Sequence, residues 1–330
     1  MSAPVLEMQG VEIGIGTRKI TYGVDLALHP GRTLALVGES GCGKSVTALA
    51  AMNLLSPPLK VTSGSIRVHD GEAMVELTAL DPLGATMRSL RGRHVAMIFQ
   101  DPMTALDPVY PVGEQIAEAL RNHLDLGRKE ASARAIELLR LVRIPAPERR
   151  AKEYPFQLSG GMRQRVMIAI AIACSPSVLI ADEPTTALDV TVQAQILAEL
   201  RDLSTRLGLA MLLITHDLGV VAETADDVMV MYRGHVVETA GVDALFEAAA
   251  HPYTQGLLAS LPPVDGERRT LTPIPGQVPG IGEDVVGCPF AERCAHAQER
   301  CRAERPPSVS VAPGHSVACF LYSAAAAVAA

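Results

Sequence analysis

The sequence predicts an α/β fold, a mostly parallel sheet covered by helices, followed by a small irregular appendage. Three observations lead there. Over the first 250 of 330 residues, short β-rich runs alternate with longer helical patterns, the order that builds parallel sheets. A glycine-rich turn, Gly38-Glu39-Ser40-Gly41-Cys42-Gly43-Lys44-Ser45, joins the apolar run Leu34-Ala35-Leu36-Val37 to a helical pattern. From His251 onward apolar periodicity fades, and prolines crowd the stretch between Pro262 and Pro313.

The elements follow in order. Strands are expected at 33–37, 95–99, 178–181, 211–215 and 228–231, and helices from Gly43 and across 113–123, 129–142, 159–174 and 190–207. The segment 101–155 holds helix formers and few strand signals, so it reads as a helical insertion between two strands, a subdomain of about 101–165. The composition change places a boundary near residue 250, dividing a 1–250 domain from a 251–330 extension. The alanine-rich run 324–330 is expected to fray. There is no internal repeat, so one such unit is present.

Composition narrows the function. Hydrophobic residues make up 48% and charged residues 20%, which supports a sizeable core. With 29 Lys+Arg against 36 Asp+Glu the formal charge is −7, which argues against a protein that coats phosphate backbone. No Trp, six Tyr and five Phe leave few platforms for stacking single-stranded bases. The longest apolar stretch, from Val166 to Ala181, is broken by Ser175, Pro176 and Ser177, so no membrane span is expected. No basic region followed by an apolar one opens the chain, so a cytosolic location is expected.

The glycine-rich turn fits G-x-x-x-x-G-K-[ST]. Its glycines let backbone N–H groups face phosphate oxygens, Lys44 can reach β/γ phosphates, and Ser45 can ligate Mg²⁺. Val178-Leu179-Ile180-Ala181-Asp182-Glu183 is a buried-strand pattern ending in two acids. Asp182 is placed to hold Mg²⁺, and Glu183 to polarise an attacking water. Leu158-Ser159-Gly160-Gly161-Met162 opens an apolar helix and forms a second anion-binding start. One chain has no need of two phosphate cradles for one nucleotide, so the second is expected to serve a nucleotide held by another subunit.

The order of phosphate loop, Gln100 at a strand end, LSGGM, VLIADEP, Ala187-Leu188-Asp189 and His216 resembles the ATP-binding subunit of an ABC transporter. EYPFQLSGGMRQRVMIAIAIACSPSVLIADEPTTALDVTVQAQIL is similar to the oligopeptide/dipeptide importer branch, of the type with GGM rather than GGQ, and GCPFAERC…RC…GHSVAC resembles that branch's C-terminal extension. The likeness covers about residues 5–320. It implies a P-loop NTPase, RecA-like core with an antiparallel β subdomain, a helical insertion and a Cys-rich C-terminal extension. It implies that Gly38, Ser40, Gly41, Cys42, Gly43, Lys44, Ser45 and Val46 surround the ATP phosphates, that Ser45, Gln100 and Asp182 serve Mg²⁺, and that Glu183, His216 and Gln100 are catalytic. Ser159, Gly160 and Gly161 are expected to close on the partner's ATP, with Asp189 touching the opposing ATPase. The family's adenine-stacking aromatic position falls on Ile15, and Tyr22 lies seven residues too late, so the base is expected to meet apolar contact and Arg18.

The implied partners are a second ATPase subunit, a different GGQ-type chain, two transmembrane permease subunits and an extracytoplasmic substrate-binding protein, with no nucleic acid. The implied place is the cytoplasmic face of the inner membrane, as a peripheral subunit. Oligo- or dipeptides are the cargo the resemblance favours, with nickel or another small solute as the alternative. A soluble ABC ATPase of DNA repair or translation is the reading from another class. Long coiled-coil inserts or a second cassette would mark it, and the sequence has neither.

Six cysteines without an export signal read as metal ligands or inert thiols. Cys42 is expected to be a small filler of the phosphate loop and Cys174 a core residue. Cys288-x5-Cys294-x6-Cys301-x17-Cys319 lacks the tight knuckles of structural zinc. Four such thiolates suit a [4Fe-4S] cluster, and some members with this extension hold one; zinc and unmetallated thiols stay open. The cysteines stand far in sequence from the nucleotide motifs, so their expected role is structural.

Overall fold

The computed structural model describes residues 2–186, 188–261, 273–278 and 286–322; Ala187 and the 324–330 run lie outside the described residues. The chain opens with an antiparallel hairpin of β1 (Leu6–Ile15) and β2 (Arg18–Leu28), whose period-2 burial marks a sheet with one wet face. β3 (Thr33–Val37) runs into the glycine-rich loop and α1 (Lys44–Ala51). β4 (Lys60–His69) and β5 (Met74–Glu76) return to the first sheet, giving the order β2-β1-β4-β5. This is the expected antiparallel subdomain, although its strands were not placed individually from sequence.

α2 (Ala85–Leu90) and β6 (Val95–Ile98) follow. Between β6 and the next strand stands the helical insertion: α3 (Pro102–Ala105), α4 (Val112–His123), α5 (Arg128–Leu141) and α6 (Pro147–Arg150), then α7 (Gly160–Ile172) leading back. β7 (Val178–Asp182), α8 (Val190–Leu207), β8 (Ala210–Thr215), α9 (Leu218–Thr224) and β9 (Asp227–Tyr232) complete the parallel core, in the order β9-β3-β8-β7-β6. β3, β7 and β8 are buried along their whole length, which explains their unbroken apolar runs. Gly208, in the left-handed conformation at φ 66, ends α8 as glycine readily does.

The C-terminal segment is built onto this sheet. β10 (His235–Gly241) pairs antiparallel with β9, and α10 (Val242–Ala248), α11 (Pro252–Ala259) and α12 (Glu299–Ala303) follow. β11 (Ser308–Ala312) and β12 (His315–Ala318) then extend the sheet to eight strands, in the order β11-β12-β10-β9-β3-β8-β7-β6. Glu238 of β10, 1% exposed, accepts from Ala250 N at 2.6 Å, His251 N at 2.9 Å and His315 Nε2 at 2.7 Å. A buried carboxylate satisfied three times locks β10 to the start of α11 and to β12. The late strands escape a periodicity reading because only these long-range partners define them.

Candidate active site

β3 delivers the chain to Gly38 at one edge of the sheet. A Cβ there would lie 2.2 Å from Met231 O, so a side chain at this position would drive the loop off β9. Gly43 caps α1 at φ 103 without a side-chain hydrogen bond, which leaves the first N–H groups of the helix facing outward for an anion. Lys44, 5% exposed, donates from Nζ to Gly38 O at 2.7 Å and Glu39 O at 3.1 Å, so the loop's own carbonyls hold its ammonium over the turn. Cys42 is buried in the loop; burial pushes its thiol up, and the neighbouring Lys44 opposes the shift. It fills space as a neutral thiol. Ser40, Gly41 and Ser45 are exposed along the turn, and Val46 is half-buried behind them.

The ends of β6, β7 and β8 bring the acids to the same edge. Ser45 Oγ donates to Asp182 Oδ1 at 3.1 Å, and burial pushes the Asp182 carboxyl up while that bond pulls it down. A hydroxyl and a carboxylate side by side are hard oxygen donors of the kind Mg²⁺ takes, so the residues fit that ion. Glu183 occupies the left-handed region at φ 45, an uncommon place for a side-chain-bearing residue, and its N–H donates to Ile214 O at 2.9 Å. Its carboxylate receives Gln100 Nε2 at 3.0 Å, Thr186 Oγ1 at 3.0 Å and His216 Nδ1 at 3.3 Å. Gln100, Asp182, Glu183, His216 and Ser45 are thereby linked across three strand ends. Thr186 was not anticipated; a hydroxyl three residues past the acid is its sequence signal.

Ser159, Gly160, Gly161 and Asp189 form a different group. Ser159 Oγ accepts from Met162 N at 3.4 Å and Asp189 Oδ1 from Val192 N at 3.0 Å, each capping its own helix. A Cβ at Gly161 would lie 2.9 Å from Val192 Cγ1, so the starts of α7 and α8 pack against one another. Ser159, Gly160 and Asp189 are exposed, and the side-chain bonds of Ser159 and Asp189 end within their own helices.

The extension reaches the phosphate loop, which sequence reasoning did not foresee. Arg293, 8% exposed, forks onto Glu39, with Nη1 to Oε2 at 2.6 Å and Nη2 to Oε1 at 3.1 Å. These bonds hold its guanidinium above its ordinary value. Its Nε donates to Pro275 O at 2.8 Å and Nη1 to the Tyr232 hydroxyl at 3.3 Å. Tyr253, fully buried on α11, accepts the Glu39 N–H on its hydroxyl at 2.8 Å. Phe290 stands edge-on to Tyr232, with ring centroids 5.2 Å apart.

Cys288, Cys294, Cys301 and Cys319 line one small pocket with His251 and Phe290. Burial pushes the Cys288 thiol up to about 11, with the other three thiols adding to the shift. Among the described residues no three His, Cys, Asp or Glu side chains converge as ligands of one metal ion. The structure therefore brings the four thiols to one pocket, and among the described residues it gives the expected iron–sulfur assignment no support. Cys174 packs against the helical core, as expected.

The comparisons with known proteins agree with this architecture. The ABC transporter family matches residues 22–186, and the oligopeptide/dipeptide transporter C-terminal region matches residues 237–301. A dimeric ATP-binding cassette bound to ADP and Pi in a post-hydrolysis state superposes with a TM-score of 0.62 at 26% identity, covering 72% of this chain and 98% of that one. Together with the phosphate loop and the acids at the strand ends, this defines a P-loop ATPase of the ABC type, an enzyme that hydrolyses ATP with Mg²⁺. A probable peptide ABC transporter ATP-binding protein of Sinorhizobium fredii is 52% identical over 90% of this chain and 88% of its own length. The oligopeptide transport ATP-binding protein AppD of Bacillus subtilis is 51% identical over 91% and 90%, and a putative peptide import ATP-binding protein of Brucella melitensis is 48% identical over 98% and 99%. The chain belongs to the ABC transporter ATP-binding family, in its oligopeptide/dipeptide branch.

Proposed function

We propose that this chain is the ATP-hydrolysing subunit of a peptide importer, working from the cytoplasmic face of the inner membrane with two permease subunits, an extracytoplasmic binding protein and a second, GGQ-type ATPase chain. The observation that carries the reading is that two groups stand apart in their bonding: the phosphate loop with Ser45, Asp182, Glu183, Gln100 and His216, and the Ser159-Gly160-Gly161 start, exposed at Ser159 and Gly160, beside Asp189. No described helix is long and apolar enough to cross a membrane. Met103, Val109, Tyr110 and Phe156, exposed on and beside the helical insertion, offer apolar surface for a permease.

In this reading residues 1–250 are the ATPase body and 251–330 its extension. The loop N–H groups and Lys44 hold the phosphates, and Ser45, Asp182 and Gln100 would hold Mg²⁺, which when bound would neutralise charge on the transferred phosphoryl group. Glu183 orients and deprotonates the attacking water, with Gln100 and His216 steering its carboxylate, and His216 meets the γ-phosphate. Ser159, Gly160 and Gly161 complete the site of the opposing subunit. Purified with its partners in proteoliposomes, the chain should hydrolyse ATP faster when the binding protein carries peptide. Stimulation by nickel alone would overturn the peptide reading, and loss of all ATPase activity in a Lys44→Ala chain is the matching control.

For the four cysteines the proposal is a [4Fe-4S] cluster. A cubane takes one thiolate on each of four irons, so it requires four thiols around one pocket rather than convergence on one ion. When bound it would add to the order that Tyr253, Cys288, Phe290 and Ala291 already give this segment by burial. Anaerobically purified protein should be brown, with iron and sulfide near four each per chain. Stoichiometric zinc, or a colourless protein with four titratable thiols, would overturn it.

A further inference from the structure

Glu39 is the one acid inside the phosphate loop, between Gly38 and Ser40. Its position is fixed from three sides. Its N–H goes to the Tyr253 hydroxyl, its carbonyl accepts Lys44 Nζ, and its carboxylate is forked by Arg293. Two of these three partners come from the C-terminal extension, with Arg293 lying 254 residues along the chain. A free carboxylate at this place would stand beside the helix start that receives polyanionic phosphate, and would repel it. A planar bidentate guanidinium both cancels that charge and fixes the side chain's direction.

Resting on the assignment of the loop as the ATP phosphate site, we infer that Arg293 is a positioning residue of that site. It neutralises and orients Glu39, so that nucleotide affinity depends on the docked extension, with the Tyr253 hydroxyl holding the loop backbone beside it. Arg293 is itself immobilised by the Pro275 carbonyl, the Tyr232 hydroxyl and the faces of Tyr232 and Phe290, with its guanidinium carbon 5.7 Å and 5.9 Å from the two ring centroids. It directly precedes Cys294, so the order of the thiol pocket and the order of the loop meet in adjacent residues. The cysteine segment, remote in sequence from the nucleotide motifs, is their neighbour in space.

The test titrates MgADP into the full chain, which avoids turnover. Arg293→Gln should raise the Kd roughly tenfold, equivalent to about 1.4 kcal/mol. Adding Glu39→Gln to it should restore the Kd to within about twofold of wild type, because the repelling charge is gone. Arg293 serving only as an extension anchor predicts the opposite: a lowered melting temperature, with affinity unchanged or not rescued by Glu39→Gln. Either result overturns the inference. Where Arg293→Gln does not fold, Arg293→Lys, which keeps the charge but loses the fork, should weaken MgADP by several-fold; an unchanged Kd there also overturns it. Lys44→Ala separates the two levels. If it leaves MgADP affinity intact the loop is not the phosphate site, whereas a lost affinity there with an unaltered Arg293→Gln removes the Arg293 role alone.

Discussion

Two helix starts in this chain carry the glycine-rich pattern expected to receive anions, and they are built differently. α1 begins at Gly43 with no side-chain cap, a buried Lys44 beside it and the Asp182–Glu183 pair facing it through Ser45. α7 begins at Ser159 with a side-chain cap on Met162, no lysine, an exposed Gly160 and a half-buried Gly161. The first start has donors, counter-charge and hydrolytic acids from the same chain. The second has donors, with Arg163 of its first turn bonded back to Pro155 O, and no acids facing it through a hydroxyl. In the proposed reading this second start, without the lysine and the acids, completes a site on the opposing subunit. The sheet explains the asymmetry: β3 runs into α1 and β7 meets it through Asp182 and Ser45, whereas α7 follows the helical insertion and packs on α8.

The largest expected effect breaks the first site without emptying it. Glu183→Gln removes the carboxylate that receives Gln100, Thr186 and His216 but leaves the loop and Lys44 untouched. Turnover should fall by roughly 10²–10⁴, the usual contribution of a general base, with nucleotide affinity held within about twofold. Steady-state hydrolysis in the assembled transporter, together with equilibrium nucleotide binding, checks both halves. A variant that hydrolyses at the wild-type rate removes Glu183 from the base role.

The next effect sharpens the contrast. Ser159→Arg places a bulky cation at the start of α7 while leaving α1 intact. Binding to this chain's own loop should be unchanged, whereas hydrolysis in the site completed by α7 should fall on the order of 10²-fold, as misplacement of a closing element typically costs. A mixed complex carrying the substitution in this chain alone reads it out. Full activity retained at the partner's loop would mean that α7 does not close over the partner's nucleotide.

How much of this was legible in the sequence differs between the same two regions and the extension. The phosphate loop, Asp182, Glu183 and the α7 start are written in runs of five to eight neighbours, so short-range spacing locates them. Gln100 and His216 are single polar residues at strand ends, and only the family resemblance singled them out. The strands 33–37, 178–181 and 211–215 stand within a residue of the observed ones, because burial on both faces leaves continuous apolar runs. β10, β11 and β12 were not foreseen, since their register rests on Glu238 reaching residues 12, 13 and 77 positions away. Arg293 on Glu39 is the extreme case. Nothing local in Glu-Arg-Cys marks an arginine that will meet a loop near the other end of the chain.

The smallest expected effect concerns the base rather than the phosphates. Ile15 ends β1 exposed, directly across the hairpin from Arg18. Thr21 of the same hairpin packs on Gly43, which brings the hairpin beside the loop. Tyr22, the nearest aromatic in the chain, is engaged elsewhere: it stacks on His235 with centroids 4.2 Å apart, and the Arg305 guanidinium lies 4.8 Å from its ring. The position expected to meet the base is therefore an aliphatic side chain and not a ring. Discrimination between MgATP and MgGTP should be within a few-fold, because apolar contact does not read exocyclic groups. Ile15→Tyr should tighten both nucleotides by roughly 1–3 kcal/mol, the range for base–aromatic stacking, without changing their ratio, since every base has a π-face. Equilibrium titration of both nucleotides into wild type and variant decides it. Strong preference for ATP in the wild-type chain would show that a polar reader of adenine exists, and an Ile15→Tyr chain with unaltered affinities would place the base away from the tip of this hairpin.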